Sequence, residues 1–174
     1  MSDIVGRIAV AIFGIIMLFI MPVVVIAQKQ DSLAQNYIDN AVVEFVDNAR
    51  ATGKITPRAY EQLCDKVDSA HLLCEIRITH SAAYTVPTEE RPDGSWDTEV
   101  YRYDYIKEDI LTKMYPDGDE ENVDYQLKNG DYLKVEVRNV TPTMGIKMMR
   151  LFSAKRSDEV LFTSYGGYVG NNKQ

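Results

Sequence analysis

IAVAIFGIIMLFIMPVVVIA, residues 8–27, runs directly into QKQDSLAQNYIDNAVVEFVDNARATG, residues 28–53, and the fold is read outward from this passage. Its first 20 residues carry no charge. At a rise of about 1.5 Å per residue, a helix of that length crosses a hydrocarbon layer about 30 Å thick, so a spanning helix is expected. Pro22 removes one backbone donor, which membrane helices accommodate by local bending, so a kink is expected there. The rival is a cleaved secretory signal, because Val25 and Ala27 set a small-residue pattern before Gln28. The apolar run exceeds the usual ~7–15 residues of a signal, and only Arg7 balances Asp3 ahead of it, which favours a retained anchor. Arg7 and Lys29 on its two sides orient it little. The short leading tail and long polar sequence behind favour an N-terminus inside and a C-terminal domain outside the cytoplasm, at the cell membrane, with a cytoplasmic C-terminal domain as the alternative.

Beyond Gln28, Leu33, Tyr37, Ile38, Ala41, Val42, Phe45, Val46 and Ala49 recur every three or four residues, with Asp39, Asn40, Glu44, Asp47 and Asn48 opposite. This is one amphipathic face, uninterrupted by proline or glycine until Gly53, which is expected at the helix C-cap. The chain divides into an anchor helix (residues 1–27), its amphipathic continuation (28–53) and a head domain (54–174).

The whole chain has 174 residues and a net charge of -7, enough for one domain with a core. A pI near 4.9 argues against nucleic acid, whose binding depends on Lys and Arg displacing counterions. Two cysteines, Cys64 and Cys74, are too few for a disulfide scaffold and are read either as one bridge or as two buried thiols.

In the head, Thr56 and Pro57 predict a helix start, with Ile55 and Tyr60 as its hydrophobic staple and Leu63, Cys64 and Val67 on the buried face. From Leu73 the period becomes two, with Cys74, Ile76, Ile78 and His80 on one side of a strand. Val86 to Thr98, with two prolines and a glycine, reads as an exposed loop, and Tyr101, Tyr103 and Tyr105 as the next strand. Lys107 to Tyr115 fits a short helix. Asn129-Gly130, between Tyr125–Leu127 and Leu133–Val137, predicts a β-hairpin. Thr141-Pro142 predicts a helix through Phe152, and Val160–Tyr165 a last strand before Gly166-Gly167. The fold class is α+β: a long transmembrane-plus-amphipathic helix leading into a small antiparallel sheet with short helices.

No catalytic, cofactor-binding or metal-binding residues are assigned from sequence, and no enzymatic activity is expected. His71 and His80 stand outside any metal-spaced cluster and are read as ordinary surface or sheet residues. The acidic run Asp117, Asp119, Glu120, Glu121 and Asp124 offers hard oxygen ligands but lacks calcium-loop spacing, and reads as a solvated loop. Tyr101, Tyr103, Tyr105, Tyr125 and Tyr132 read as cross-strand packing, with an adhesive aromatic surface as the alternative. Gly166-Gly167 reads as a turn or a close backbone contact.

A short tail, an apolar helix containing a proline, its amphipathic continuation and a small α+β head together resemble the type IV pilin and pseudopilin plan, including pilin-like proteins of tight-adherence (Tad) systems. Ile55-Thr56-Pro57, Thr141-Pro142-Thr143 and Ser164-Tyr165-Gly166-Gly167 are similar to segments of single-pass proteins of Tad-like clusters. The resemblance implies a structural component of a bacterial surface filament (pilus or fimbrium) or secretion apparatus. Its implied partners are the lipid bilayer and other pilin-like subunits, including copies of itself. No glycine of the leading segment is followed five residues later by glutamate, Gly6 leading to Ala11, so prepilin-peptidase processing is not expected. Ala11 and Gly14 are the positions best suited to close helix approach. The alternative is a membrane-anchored extracellular binding or adhesion module using the tyrosines or the acidic loop.

Overall fold

The computed structural model describes residues 2–70, 72–90, 92, 94–116, 121–143, 146–148 and 162–170. Helix α1 (Ser2–Thr52) is a single rod of 51 residues that continues on both sides of Pro22. It stops where expected: Gly53 takes φ +68°, a left-handed conformation open to glycine, and its N–H bonds the Ala49 carbonyl at 2.9 Å. A two-residue strand β1 (Lys54–Ile55) leads into α2 (Pro57–Ser69), capped by Thr56, whose hydroxyl accepts the Ala59 N–H at 3.1 Å. Leu63 and Val67 are buried on α2, and Cys64 is half-buried.

The main sheet contains β2 (Cys74–Glu90), β3 (Trp96–Ile106), β5 (Tyr132–Asn139) and β6 (Phe162–Tyr168), antiparallel throughout in the order β3-β2-β5-β6. Helix α3 (Lys107–Met114) follows β3 directly, and β4 (Tyr125–Gln126) pairs with β1 as a separate two-stranded sheet. The class is therefore α+β, with an apolar N-terminal helix followed by small antiparallel sheets and short helices. The alternation from Cys74 to His80 places Ile78 and His80 in the interior, as the sequence predicts.

Four expectations need correction. The segment from Val86 to Thr98 is mostly strand: β2 and β3 pair out to Glu90 and Trp96, with a register shift between Pro87 and Glu89. Beyond Ser81 no described residue pairs with β2 as a strand on the β5 side, and that edge tolerates a proline that a central strand would exclude. Asn129-Gly130 does form a tight turn, with Gly130 at φ +87°, but it does not join a hairpin. The residues before it pair with β1, and those after it lie between β2 and β6. Gly166 and Gly167 lie within β6 and make close contacts there, so the turn reading fails. A Cβ at Gly166 would lie 2.8 Å from the Leu133 carbonyl oxygen, and one at Gly167 would lie 2.6 Å from Arg50 Cζ. Finally, it is Thr143, not Thr141, whose hydroxyl accepts a helical N–H, from Ile146 at 3.3 Å. Beyond it the described helical residues are 146–148, and the rest of the helix expected through Phe152, like Val160 and Leu161 of the last strand, lies outside the described residues.

The core is built as much by α1 as by the sheet. Ile38, Ala41, Val42, Phe45, Val46 and Ala49 cluster with Leu63 and Val67 of α2, Ile110 and Met114 of α3, and Leu133, Val135 and Val137 of β5. Val42 and Val46 have no exposed surface; burying such a side chain fully contributes about 1.5–3 kcal/mol. Polar contacts fix the register of helix on sheet. Gln35 Nε2 donates to Thr163 Oγ1 at 2.7 Å, Thr163 donates to Asp39, and Arg50 Nε donates to the Tyr168 carbonyl at 2.8 Å.

Candidate functional site

Two parts of the molecule stand apart from ordinary packing. The first is the leading half of α1. Its most apolar window is not buried at all, and side chains as large as Phe13, Leu18 and Phe19 are 60–71% exposed. A core helix of a soluble protein would hide these groups, and a contiguous apolar surface of this length requires a covering. Among the described residues this is the one helix long and apolar enough to cross a membrane. It is consistent with membrane anchoring through a single span.

The second is a cavity of about 400 Å³ in the head, where β2, β3, α3 and the segment 123–131 meet. Its floor is a buried hydrogen-bonded chain. His80 Nε2 lies 2.8 Å from Asp131 Oδ2, and His80 Nδ1 lies 2.8 Å from the Tyr125 hydroxyl. His80 and Asp131 are 4% and 1% exposed, so neither borrows bonds from bulk water. Asp131 also accepts the backbone N–H of Lys128 at 2.7 Å and of Ala83 at 3.1 Å.

These contacts determine the protonation pattern. Burial pushes the Asp131 carboxyl up, but the N–H bonds from Lys128 and Ala83 and the imidazole outweigh it, so its pKa falls below the ordinary value. An ionised carboxylate only accepts, so His80 Nε2 carries the proton donated to it. Burial, then neighbouring Tyr105 and Asp131, raises the pKa of Tyr125 and keeps its hydroxyl protonated beside His80 Nδ1. Every partner in the chain Asp131–His80–Tyr125 is thereby satisfied.

The rim is aromatic and cationic. The Tyr84 and Tyr105 hydroxyls are 2.8 Å apart, and that bond, followed by burial, raises the pKa of Tyr84. Tyr105 stacks on the His80 ring with centroids 5.6 Å apart, and Tyr103 meets Tyr105 edge-on at 4.8 Å. Lys113 Nζ sits 4.4 Å from the Tyr105 centroid, and Lys128 Nζ 5.9 Å from that of Tyr84.

The residues singled out in the sequence are thus distributed unevenly. Tyr105 and Tyr125 join the cavity. Tyr132 packs edge-on against Tyr168 at 5.0 Å, and Tyr101 is exposed, bonding Glu99. Of the acidic run, Asp124 is bound to Lys54 at 2.8 Å and Glu121 is exposed, while Asp117, Asp119 and Glu120, like His71, lie outside the described residues. Cys64 and Cys74 are free, half-buried thiols, and burial, then Asp68, raises the pKa of Cys74. Among the described residues no three His, Cys, Asp or Glu side chains are grouped to hold a metal ion. Sequence reading placed His80 on the buried face but missed its partners, which lie 45 and 51 residues away. The available signal was an aspartate directly after Asn129-Gly130, in register to close that turn. No protein-family model, curated protein or solved structure matches this chain.

Proposed function

We propose that this chain is a membrane-anchored, pilin-like or minor pseudopilin-like structural component of a bacterial surface filament or secretion apparatus. On this reading α1 spans the membrane once, the head faces away from the cytoplasm, and the chain acts through helix packing and head contacts rather than catalysis. One observation carries it: α1 is a continuous rod, bare and apolar in its first half and built into the head's core in its second. A subunit of this shape exchanges lipid for neighbouring helices without refolding its head, because the surface that changes partner is already outside the fold. Gly14 lies on this bare half, where a Cβ added to it meets nothing within 4 Å.

The test is immunogold labelling of expressing cells together with cysteine crosslinking at Ala11 and Gly14. Labelled fibres and Ala11→Cys or Gly14→Cys crosslinks within them are expected. A mature chain that begins at Gln28 and washes free of the membrane would overturn both the anchor and the filament.

A further inference from the structure

Helix packing leaves the head cavity without a task, and its chemistry points to a ligand. Among the described residues that line it, the charge left unpaired is positive, although the whole chain carries -7. Both carboxylates lining it are already committed, Asp124 to Lys54 and Asp131 to His80 and two backbone N–H groups. Lys113 and Lys128 line it too, and among the described residues neither ammonium has a carboxylate within ion-pair distance; each rests on a tyrosine face instead. Two such cations at one opening select an anion.

The rest of the lining selects the body that carries it. The volume of about 400 Å³ falls in the lower part of the range of small-molecule sites, about 300–1,000 Å³. Tyr84 and Tyr105 bond each other through one O–H, which leaves the second O–H and both oxygens' remaining lone pairs for a ligand. The Gln126 amide adds further donors and an acceptor. A ring bearing several hydroxyls satisfies such a set, whereas a plain aromatic acid leaves most of it without partners. We propose that the cavity binds an acidic saccharide, its carboxylate held by Lys113 and Lys128 and its hydroxylated ring against Tyr84, Tyr105 and Gln126. The site stands whether or not the chain enters a filament.

The test is calorimetric titration of the full chain in detergent micelles with D-glucuronate, D-glucose and benzoate. Glucuronate is expected to bind with a Kd of about 1 mM, and glucose and benzoate at least about tenfold more weakly. The double variant Lys113→Gln/Lys128→Gln is expected to lose about tenfold or more in glucuronate affinity while melting as the unmodified chain does. Tyr84→Phe, at a partly exposed position, provides an independent variant expected to weaken glucuronate severalfold. Absence of saturable glucuronate binding, equal binding of benzoate, or undiminished binding by the folded double variant each overturns the proposal.

Discussion

Replacing Asp131 by alanine tests the interior of the head most severely, because one carboxylate there serves three donors, two from β2 and one from the turn that bears it. Its loss strands the His80 Nε2–H at 2.8 Å and the N–H groups of Lys128 and Ala83 at 2.7 and 3.1 Å. A buried donor left without a partner costs about 1–3 kcal/mol. His80 is 4% exposed and bears that cost in full, while the two backbone groups border the open cavity and can recruit water, placing each near the lower end. The sum is about 3–5 kcal/mol, a large fraction of the ~5–15 kcal/mol that stabilises a typical domain. Asp131→Asn retains an acceptor for Ala83 and permits the opposite imidazole tautomer, with Nε2 accepting from the amide and Nδ1–H donating to Tyr125. It strands only the Lys128 N–H and is expected to cost about 1–3 kcal/mol. Urea unfolding of the full chain in micelles, followed by the near-ultraviolet signal of its tyrosines, measures both. Coupling to His80→Phe in a double-mutant cycle isolates the imidazole–carboxylate bond. An Asp131→Ala variant within about 0.5 kcal/mol of the unmodified chain would refute the reasoning, since that is the range of an inconsequential surface change.

Asp131 has a folded-state pKa below its unfolded value, so its contribution is complete above the unfolded carboxylate value, about 3.9, and is lost as pH falls through the folded one. The unmodified head should therefore lose stability below about pH 4, with Asp131→Asn showing a flatter acid limb in the same titration. Gly166→Ala places a methyl 2.8 Å from the Leu133 carbonyl oxygen and 3.1 Å from Lys134 Cα, backbone atoms that cannot swing aside, and should cost about 1–3 kcal/mol in urea unfolding. Thr56→Ala removes the cap on the Ala59 N–H and should cost about 1 kcal/mol by the same measurement. Ile15→Arg sets a charge midway along the bare half of α1 and should disfavour membrane insertion by about 2.5–3.5 kcal/mol, read as the inserted fraction in a glycosylation-site assay. A chain beginning at Lys54 lacks Ile38, Val42, Phe45 and Val46 of the core and should show no cooperative unfolding, whereas one beginning at Gln28 should retain it.

What could be read in advance was local. The apolar run, the three-and-four spacing through Ala49, the stop at Gly53 and the start at Thr56-Pro57 each depend on neighbours within a turn of helix, and each is where the sequence places it. The alternation from Cys74 to His80 is equally local. Pairing is not: Asn129-Gly130 specifies a turn but not which strand lies beside the residues that precede it, and β4 joins β1 through Ile55 and Tyr125. The paired arm beyond Ser81 escaped notice because Pro87 and Pro92 normally interrupt strands. A strand with no neighbouring strand on one side is the setting in which that rule relaxes. The cavity was least legible of all, because its floor depends on His80, Tyr125 and Asp131 meeting across turns that no periodicity encodes.

The same contacts determine how anchor and head relate. A flexible linker would leave the head free to rotate over its anchor, but between Gln28 and the core residues α1 continues as helix, and from Gln35 onward it is clasped by β6. Arg50 holds the Tyr168 carbonyl, and the next residue, Val169, donates its N–H to the Asp131 carbonyl at 2.8 Å while accepting that of Gly130 at 3.2 Å. The edge gripped by the helix is thus also the edge that closes the turn bearing Asp131. The axis of the rod and the mouth of the cavity are consequently held in one frame. On the proposed reading, every copy added to a filament would present its cavity at the same angle to the filament axis, whereas a tethered head would present it at random.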